Sequence, residues 1–138
     1  MRLRPLLPAL LLALAPLGLA AQDLGPPLTG AEFDALTQGK TITYSESGTV
    51  YGIEEYRPGR KVVWAFEEGR CEEGSWFEEG SLICFDYHDP EVGLQCWSFH
   101  LRGSELVAFF EGRQENEPLV SLAESGERLN CPGPDVGV

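Results

Sequence analysis

Two cysteines flank the residues of this sequence that are best suited to chemistry, in the stretch ICFDYHDPEVGLQCW. Asp86 and His88 lie between Cys84 and Cys96, and His100 follows shortly after them. Two histidines and a carboxylate are a common set of zinc ligands, so a metal site is one interpretation. A hairpin closed by a disulfide is the other, and the alternation of side chains along the two strands distinguishes them.

Pairing Cys84 with Cys96 across an antiparallel hairpin sorts the side chains of both strands by polarity. The apolar face would then carry Ile83, Phe85, Tyr87, Trp97, Phe99 and Leu101. The polar face would carry the two cysteines with Asp86, His88, Ser98 and His100. We expect this polar face to be exposed to solvent and its two histidines to lie far apart along the hairpin. The sequence therefore predicts a cross-strand disulfide and no metal site.

The chain holds four cysteines, Cys71, Cys84, Cys96 and Cys131, separated by 13, 12 and 35 residues. An even number of cysteines in a small exported domain is typical of disulfides. A structural zinc site usually contains a closely spaced cysteine pair, which this sequence lacks. Pairing Cys84 with Cys96 leaves Cys71 for Cys131. The alternative pairs Cys71 with Cys84 and Cys96 with Cys131.

Six glutamates occur within 13 residues, a density that could support carboxylate chemistry. They are Glu67, Glu68, Glu72, Glu73, Glu78 and Glu79, opposed only by Arg70. Paired carboxylates can hydrolyse glycosidic bonds, and carboxylate-rich loops bind calcium. These pairs lie beside glycines at predicted turns and lack the spacing of an EF-hand loop, so we interpret them as solvated charges. Because G-x-S-x-G and C-x-x-C motifs are also absent, the sequence predicts no catalytic residue.

Aromatic side chains are numerous in the part of the chain that is rich in predicted strands. They are Tyr51, Tyr56, Trp64, Phe66, Trp76, Phe77, Phe85, Tyr87, Trp97, Phe99, Phe109 and Phe110. In one interpretation they fill the interior of a small barrel, which is only just wide enough for side chains. In the other, some of them line a pocket for an apolar ligand.

Residues 1–21 have the composition of a signal peptide. Arg2 and Arg4 precede an apolar run that ends near Leu19, and small residues follow at the predicted cleavage point. The run is short and interrupted by proline, so we do not expect it to span a membrane. We therefore predict a single domain at residues 22–138, exported by a Gram-negative bacterium to the periplasm or the medium.

The predicted mature part of the chain is strongly acidic. It holds 8 Lys and Arg against 22 Asp and Glu, a formal net charge of −14. Such an excess of negative charge argues against nucleic acid and against anionic membrane surfaces as partners. It fits a soluble exported protein, or one with a cationic partner.

One short helix and a series of short strands must position these residues. Thr29 and Glu32 form a capping box that begins a helix from Gly30 to Gln38. Strands are predicted at 41–45, 49–57, 61–66, 74–78, 81–87, 94–101 and 105–111, and a last weak strand or turn follows Pro118. Short connections favour a mainly β fold, in which an antiparallel meander closes into a small barrel or half-barrel with the helix at one end.

The run GSWFEEGSLICFDY, followed by Cys96 and Trp97, resembles a family of uncharacterised small secreted proteins from alphaproteobacteria. The segment EFDALTQGKT and the tail CPGPDVGV resemble the same family. The resemblance covers most of residues 30–138 and implies a lipocalin-like small β-barrel and the pairing of Cys84 with Cys96. It implies no activity, because the family has none to transfer. Lipocalins and periplasmic metalloprotease inhibitors are weaker resemblances that rest on architecture alone.

These features favour a non-enzymatic periplasmic binding or interaction domain. Its partner would be a small apolar ligand or a protein, and we expect a monomer without a cofactor. A periplasmic protease-inhibitor-like protein is one alternative. A small secreted hydrolase that uses surface carboxylates is another.

Overall fold

A computed structural model describes residues 23–66 and 70–131 of the chain. The predicted signal peptide at 1–21, the residues Glu67 and Glu68, and the tail after Cys131 lie outside the described residues. No helix within the described ranges is long and apolar enough to cross a membrane.

Eight antiparallel strands follow one another around a closed barrel, and the last strand pairs with the first. The elements are α1 (Gly30–Thr37), β1 (Thr41–Glu46), β2 (Thr49–Arg57), β3 (Lys61–Ala65), β4 (Cys71–Glu79), β5 (Leu82–Asp86), β6 (Gln95–Arg102), β7 (Glu105–Phe110) and β8 (Leu119–Ser125). Closure gives each of these strands a partner on both sides, which removes exposed sheet edges. The predicted mainly β meander is therefore confirmed, and it forms a full barrel rather than a half-barrel.

The predicted strands agree with the observed ones to within one residue, except at β4 and β8. β4 begins at Cys71, three residues before Gly74, because the residues preceding this glycine also pair with β3. The segment after Pro118 forms β8, which closes the barrel by pairing with β1. Leu119 is the only fully buried residue of β8, so the sequence there shows little of the alternating apolar pattern of a strand.

Helix α1 closes one end of the barrel with the side chain of Phe33, as predicted for this helix. Thr29 and Glu32 exchange hydrogen bonds in a complete capping box that begins the helix. The Gly30 amide donates to the carboxylate of Glu78 on β4, which ties the helix to the barrel wall. The buried ring of Phe33 packs against the rings of Tyr56, Trp76, Phe85 and Phe99.

The hairpin of β5 and β6 has the predicted register, with Cys84 opposite Cys96 and bonded to it. A second disulfide joins Cys71 to Cys131, so the alternative pairing is wrong. The apolar residues of the hairpin lie in or against the barrel core, as the alternation of side chains predicted. Two disulfides indicate a protein that folds in an oxidising environment.

The expectation that the polar face of this hairpin is exposed is wrong for Cys84, Ser98 and His100, which are all buried. Residues 23–28 lie beside β6 beyond the point where β5 pairs with it, and the amides of Gly25 and Leu28 donate to carbonyl groups of β6. His100 Nδ1 lies 2.8 Å from the Gly25 carbonyl oxygen, and Nε2 lies 3.0 Å from Ser98 Oγ. The proline-rich lead-in therefore runs beside β6 and covers His100.

The segment before Cys131 is held against the barrel by the second disulfide and by the buried carboxylate of Glu55 on β2. Glu55 accepts hydrogen bonds from the Leu129 amide at 2.9 Å and from Arg57 Nε at 2.8 Å. Burial alone would raise the pKa of Glu55, but the hydrogen bonds from Arg57, Leu129 and Arg128 together outweigh burial and lower it. Glu55 is therefore ionised in the folded protein and fixes the tail through charge-assisted hydrogen bonds.

Candidate functional site: an aromatic cavity in the barrel

A cavity of about 280 Å³ lies inside the barrel, on the far side of an aromatic layer from helix α1. Tyr56, Phe85 and Phe99 form this layer, because they pack against Phe33 and also line the cavity. The remaining aromatic lining consists of Tyr44, Tyr51, Trp64, Phe66, Tyr87 and Trp97. The aromatic side chains thus fill the barrel at the helix end and line a cavity at the other end.

The alternation of side chains along β2 and β3 places Glu54, Tyr56 and Trp64 on the face that lines the cavity. Glu54 and Tyr56 lie two residues apart on β2 and therefore on the same face, and Trp64 of β3 also lines the cavity. Gly52 continues the inner face of β2, and a Cβ atom at this position would overlap the Trp64 ring. Glycine at position 52 is therefore required for the indole to lie where it does.

The carboxyl group of Glu54 is the most unusual polar group in the cavity lining. The residue is 1% exposed, Oε1 accepts a 2.8 Å hydrogen bond from the Tyr87 hydroxyl, and Oε2 has no partner among the described residues. Burial raises the pKa of Glu54 well above its ordinary value, and the hydrogen bond from Tyr87 only partly opposes this. A neutral carboxyl group with one unused oxygen therefore lies in the wall of an otherwise aromatic cavity.

Two tyrosine hydroxyls add a second polar point to the lining. The hydroxyls of Tyr44 and Tyr56 lie 2.8 Å apart, and both residues are buried. Burial is the main cause that raises the pKa of each of them, so both are neutral. One hydroxyl hydrogen is used between the pair, which leaves the other free to donate to a molecule in the cavity.

Apolar and charged residues share the open end of the cavity. Tyr51, Phe66 and Val92 are among its lining residues, and all three are exposed. The Trp64 ring lies 5.8 Å from that of Tyr51 and 5.5 Å from that of Phe66. The charged residues lining the cavity, besides the buried carboxyl group, are Arg70, Glu72 and Asp89. This end therefore combines exposed aromatic surface with an excess of acidic side chains.

The structure places the metal candidates in different environments. His88 is exposed after β5, with Nδ1 3.5 Å from Asp86 Oδ1. His100 is buried, and protein atoms lie within hydrogen-bond distance of both of its ring nitrogens. Among the described residues, the group of three potential ligands within 4.8 Å of one another is Glu79 with the two sulfurs of the β5–β6 disulfide. Disulfide sulfurs are not thiolates, so this group is not a metal site.

The acidic cluster lies largely within β4, not at turns as predicted. Glu72 lines the cavity, Glu73 lies 3.6 Å from Arg57 Nη1, and Glu78 accepts a hydrogen bond from the start of helix α1. Neighbouring residues of a strand point to opposite faces, so each adjacent pair is split between the two sides of the sheet. The described members of the cluster therefore have separate environments and do not form one carboxylate site.

The aromatic residues predicted from the sequence include most of the cavity lining, but Glu54 and Tyr44 are not among the predicted residues. Trp76, Phe77, Phe109 and Phe110 are the predicted aromatic candidates that do not line the cavity. A signal for Glu54 was present in the sequence, because it shares the inward face of β2 with Tyr56. The pattern of apolar residues obscured it, since two consecutive glutamates in a strand look like a solvated pair.

Comparison of the chain with protein-family models, with curated proteins and with solved structures gave no match. The resemblance to small secreted alphaproteobacterial proteins therefore stays a prediction. What the cavity does has to be argued from its own residues and geometry.

Proposed function

We propose that this chain is an exported binding protein whose barrel holds a small, largely apolar ligand. The observation that carries the proposal is the aromatic cavity of about 280 Å³, closed at its inner end by the layer that packs on Phe33. Ligand sites are typically concave, mostly apolar and supplied with a few polar groups that orient the ligand. The volume lies near the lower limit of the usual range of about 300–1,000 Å³, which favours a small ligand.

The exposed aromatic rim supports a binding role. Tyr51 and Phe66 are 42% and 46% exposed, and both lie close to the Trp64 ring. Contiguous apolar surface on a soluble protein often marks a site that another molecule covers. A ligand that enters the cavity and covers this rim would bury apolar surface, which is favourable by about 25 cal/mol per Å² removed from water.

The location of the protein is part of the proposal. The two disulfides fit an oxidising compartment, and a signal peptide at residues 1–21 would direct the chain to the periplasm or the medium of a Gram-negative bacterium. The formal net charge of −14 on the predicted mature part, with 8 Lys and Arg against 22 Asp and Glu, disfavours nucleic acid and anionic membranes as partners. Binding of a small ligand requires no catalytic residue, so the proposed role is non-enzymatic.

Native mass spectrometry of the protein purified from its own periplasm tests this proposal. We expect a non-covalent adduct of low mass on the wild-type protein. Trp64→Ala should lose the adduct because it removes part of the cavity wall. Phe77→Ala is the matched control, because Phe77 is an exposed aromatic residue that does not line the cavity.

Two results of this experiment would contradict the proposal. An adduct that Trp64→Ala retains in full would place the ligand outside the cavity. A bound polypeptide in place of a small molecule would support the protease-inhibitor-like alternative.

A further inference from the structure

The charged groups around the cavity discriminate between ligands of different charge. Besides the protonated Glu54, two acidic residues, Glu72 and Asp89, line the cavity, against a single basic residue, Arg70. Acidic residues also outnumber basic ones in the whole chain, 22 to 10. An electrostatic field of this sign attracts cations to the cavity and repels anions.

The aromatic lining also favours a positively charged ligand. Trp64, Tyr87 and Trp97 line the cavity from three different parts of the chain, and the Tyr87 hydroxyl contacts Glu54. The faces of aromatic rings carry partial negative charge, and they attract ammonium groups most strongly where water is excluded. A cavity walled by aromatic rings therefore stabilises a cation that would be costly to bury among aliphatic side chains.

The unused oxygen of Glu54 supplies the specific contact. Oε2 is buried and has no hydrogen-bond partner among the described residues, while Oε1 is held by the Tyr87 hydroxyl. A buried polar atom without a partner is costly, and a ligand that provides the missing hydrogen bond removes this cost. An N–H donor with a positive charge makes the strongest such bond, because the interaction is then charge-assisted.

Resting on the proposed function above, we propose that the ligand is an organic amine, with an apolar body against the aromatic rings and a protonated amino group on Glu54. The body occupies the part of the cavity lined by Trp64 and Trp97. The ammonium group donates to Glu54 Oε2 once the carboxyl group turns toward the cavity, since Oε2 is buried in the empty protein. Glu72 and Asp89 add to the negative potential at the cavity. Glu54 is thus the residue that determines specificity for the charge of the ligand.

Proton release should accompany binding of the amine. Burial keeps Glu54 protonated in the empty cavity, with its pKa well above the ordinary value. The arriving ammonium group favours the carboxylate, so the carboxyl proton leaves to the buffer. The titratable and charged groups that contact Glu54 or line the cavity with it include Tyr44, Tyr56, Tyr87, Glu72, Asp89 and Arg70. Because the three tyrosines stay neutral, the proton comes from Glu54.

Isothermal titration calorimetry with three probes of one shape tests the assignment. The probes are 4-phenylbutylamine, the neutral 4-phenylbutan-1-ol and the anionic 4-phenylbutanoate. We expect the amine to bind about tenfold or more tightly than the alcohol, and the anion most weakly. Near pH 6, in buffers of different ionisation enthalpy, the amine should release up to about one proton per molecule bound, whereas the alcohol should release none.

Variants separate this inference from the proposed function. Glu54→Gln should abolish proton release and remove the preference for the amine, while Glu46→Gln, an exposed residue of β1, should change neither. Equal affinity of the amine and the alcohol for the wild-type protein would overturn the amine assignment and leave the binding cavity in place. Failure of all three probes to bind would overturn both. Amine binding that Glu54→Gln does not weaken would overturn the role of Glu54.

Discussion

The hydroxyl of Tyr87 donates a 2.8 Å hydrogen bond to Oε1 of Glu54 inside the barrel, and Oε2 of the same carboxyl group has no partner among the described residues. This arrangement keeps the carboxyl group of Glu54 protonated, because burial opposes its ionisation more strongly than one hydrogen bond favours it. The protein accepts a buried, half-satisfied carboxyl group, a feature that is unfavourable for stability and that recurs at functional sites.

Glu54 should make the folded protein less stable as the pH rises. Its pKa is raised on folding, so between the ordinary value of 4.5 and the raised value the folded state binds more protons than the unfolded state. The free energy of unfolding of the wild type, relative to Glu54→Gln, should therefore fall with pH, by up to about 1.4 kcal/mol per pH unit. Urea denaturation at several pH values above 4.5 measures this difference.

A control removes other titrating groups from that comparison. Glu55 has a lowered pKa and contributes in the opposite direction, but it is present in both proteins and cancels in the difference. Glu46→Gln changes an exposed side chain, and its plot of the free energy of unfolding against pH should run parallel to that of the wild type. If the Glu54→Gln curve is also parallel, Glu54 is not held neutral by the fold.

Gly52→Ala should disturb the cavity wall through a single methyl group. The added Cβ atom would overlap the Trp64 ring, so the indole has to move. We expect a loss of about 1–3 kcal/mol in the free energy of unfolding, the usual cost of forcing extra volume into a packed site. The ligand adduct seen by native mass spectrometry should weaken as well. Gly126→Ala is the control because nothing lies within 4 Å of its Cβ position. Equal stability of the two variants would show that the Trp64 ring does not pack against Gly52.

The alternation of side chains predicted the strands and one disulfide correctly, but it did not predict the burial of His100. It gave the strand positions and the pairing of Cys84 with Cys96, because register in a hairpin determines which side chains share a face. It failed for His100, since alternation says which face a side chain is on and not whether another segment covers that face. The segment that does so, residues 23–28, lacks the composition of a strand.

The sequence predicts which aromatic residues can line a cavity, but it does not predict that a cavity forms. Many aromatic residues on inward faces are compatible with a filled barrel and with a cavity, and the difference depends on where Phe33 reaches. Helix α1, which carries Phe33, is attached to the barrel by contacts such as the hydrogen bond from Gly30 to Glu78, two residues 48 positions apart in the sequence. The burial of Glu54 could not be recognised from the sequence, because charged residue types usually face water.

Loss of the disulfide between Cys71 and Cys131 should cost more stability than loss of the disulfide between Cys84 and Cys96. The bonds close segments of 60 and 12 residues, so loop-closure entropy gives about 4 and about 3 kcal/mol respectively. Double serine variants of each pair, measured by urea denaturation under oxidising conditions, test the ranking. The first variant should also free the segment that Glu55 binds, and a higher stability of that variant than of the second would contradict the account.

His100→Leu should release the N-terminal segment from the barrel. The change leaves the Gly25 carbonyl and the Ser98 hydroxyl without their buried partner, at a cost of about 1–3 kcal/mol. Faster hydrogen exchange at the Leu28 amide, which donates to β6, is the expected local sign. His88→Leu alters an exposed histidine and should leave this exchange rate unchanged. Unchanged exchange in both variants would show that His100 does not hold the segment.

The three tryptophan side chains report directly on whether the barrel binds its ligand in the aromatic cavity. Trp64 and Trp97 line the cavity, whereas Trp76 packs beside Phe33 at the helix end. The decisive measurement is a titration of the ¹⁵N-labelled protein with 4-phenylbutylamine, followed through its three indole N–H resonances. We expect saturable shifts for Trp64 and Trp97 and a stationary Trp76 signal. Three stationary signals, or a shift confined to Trp76, would contradict it.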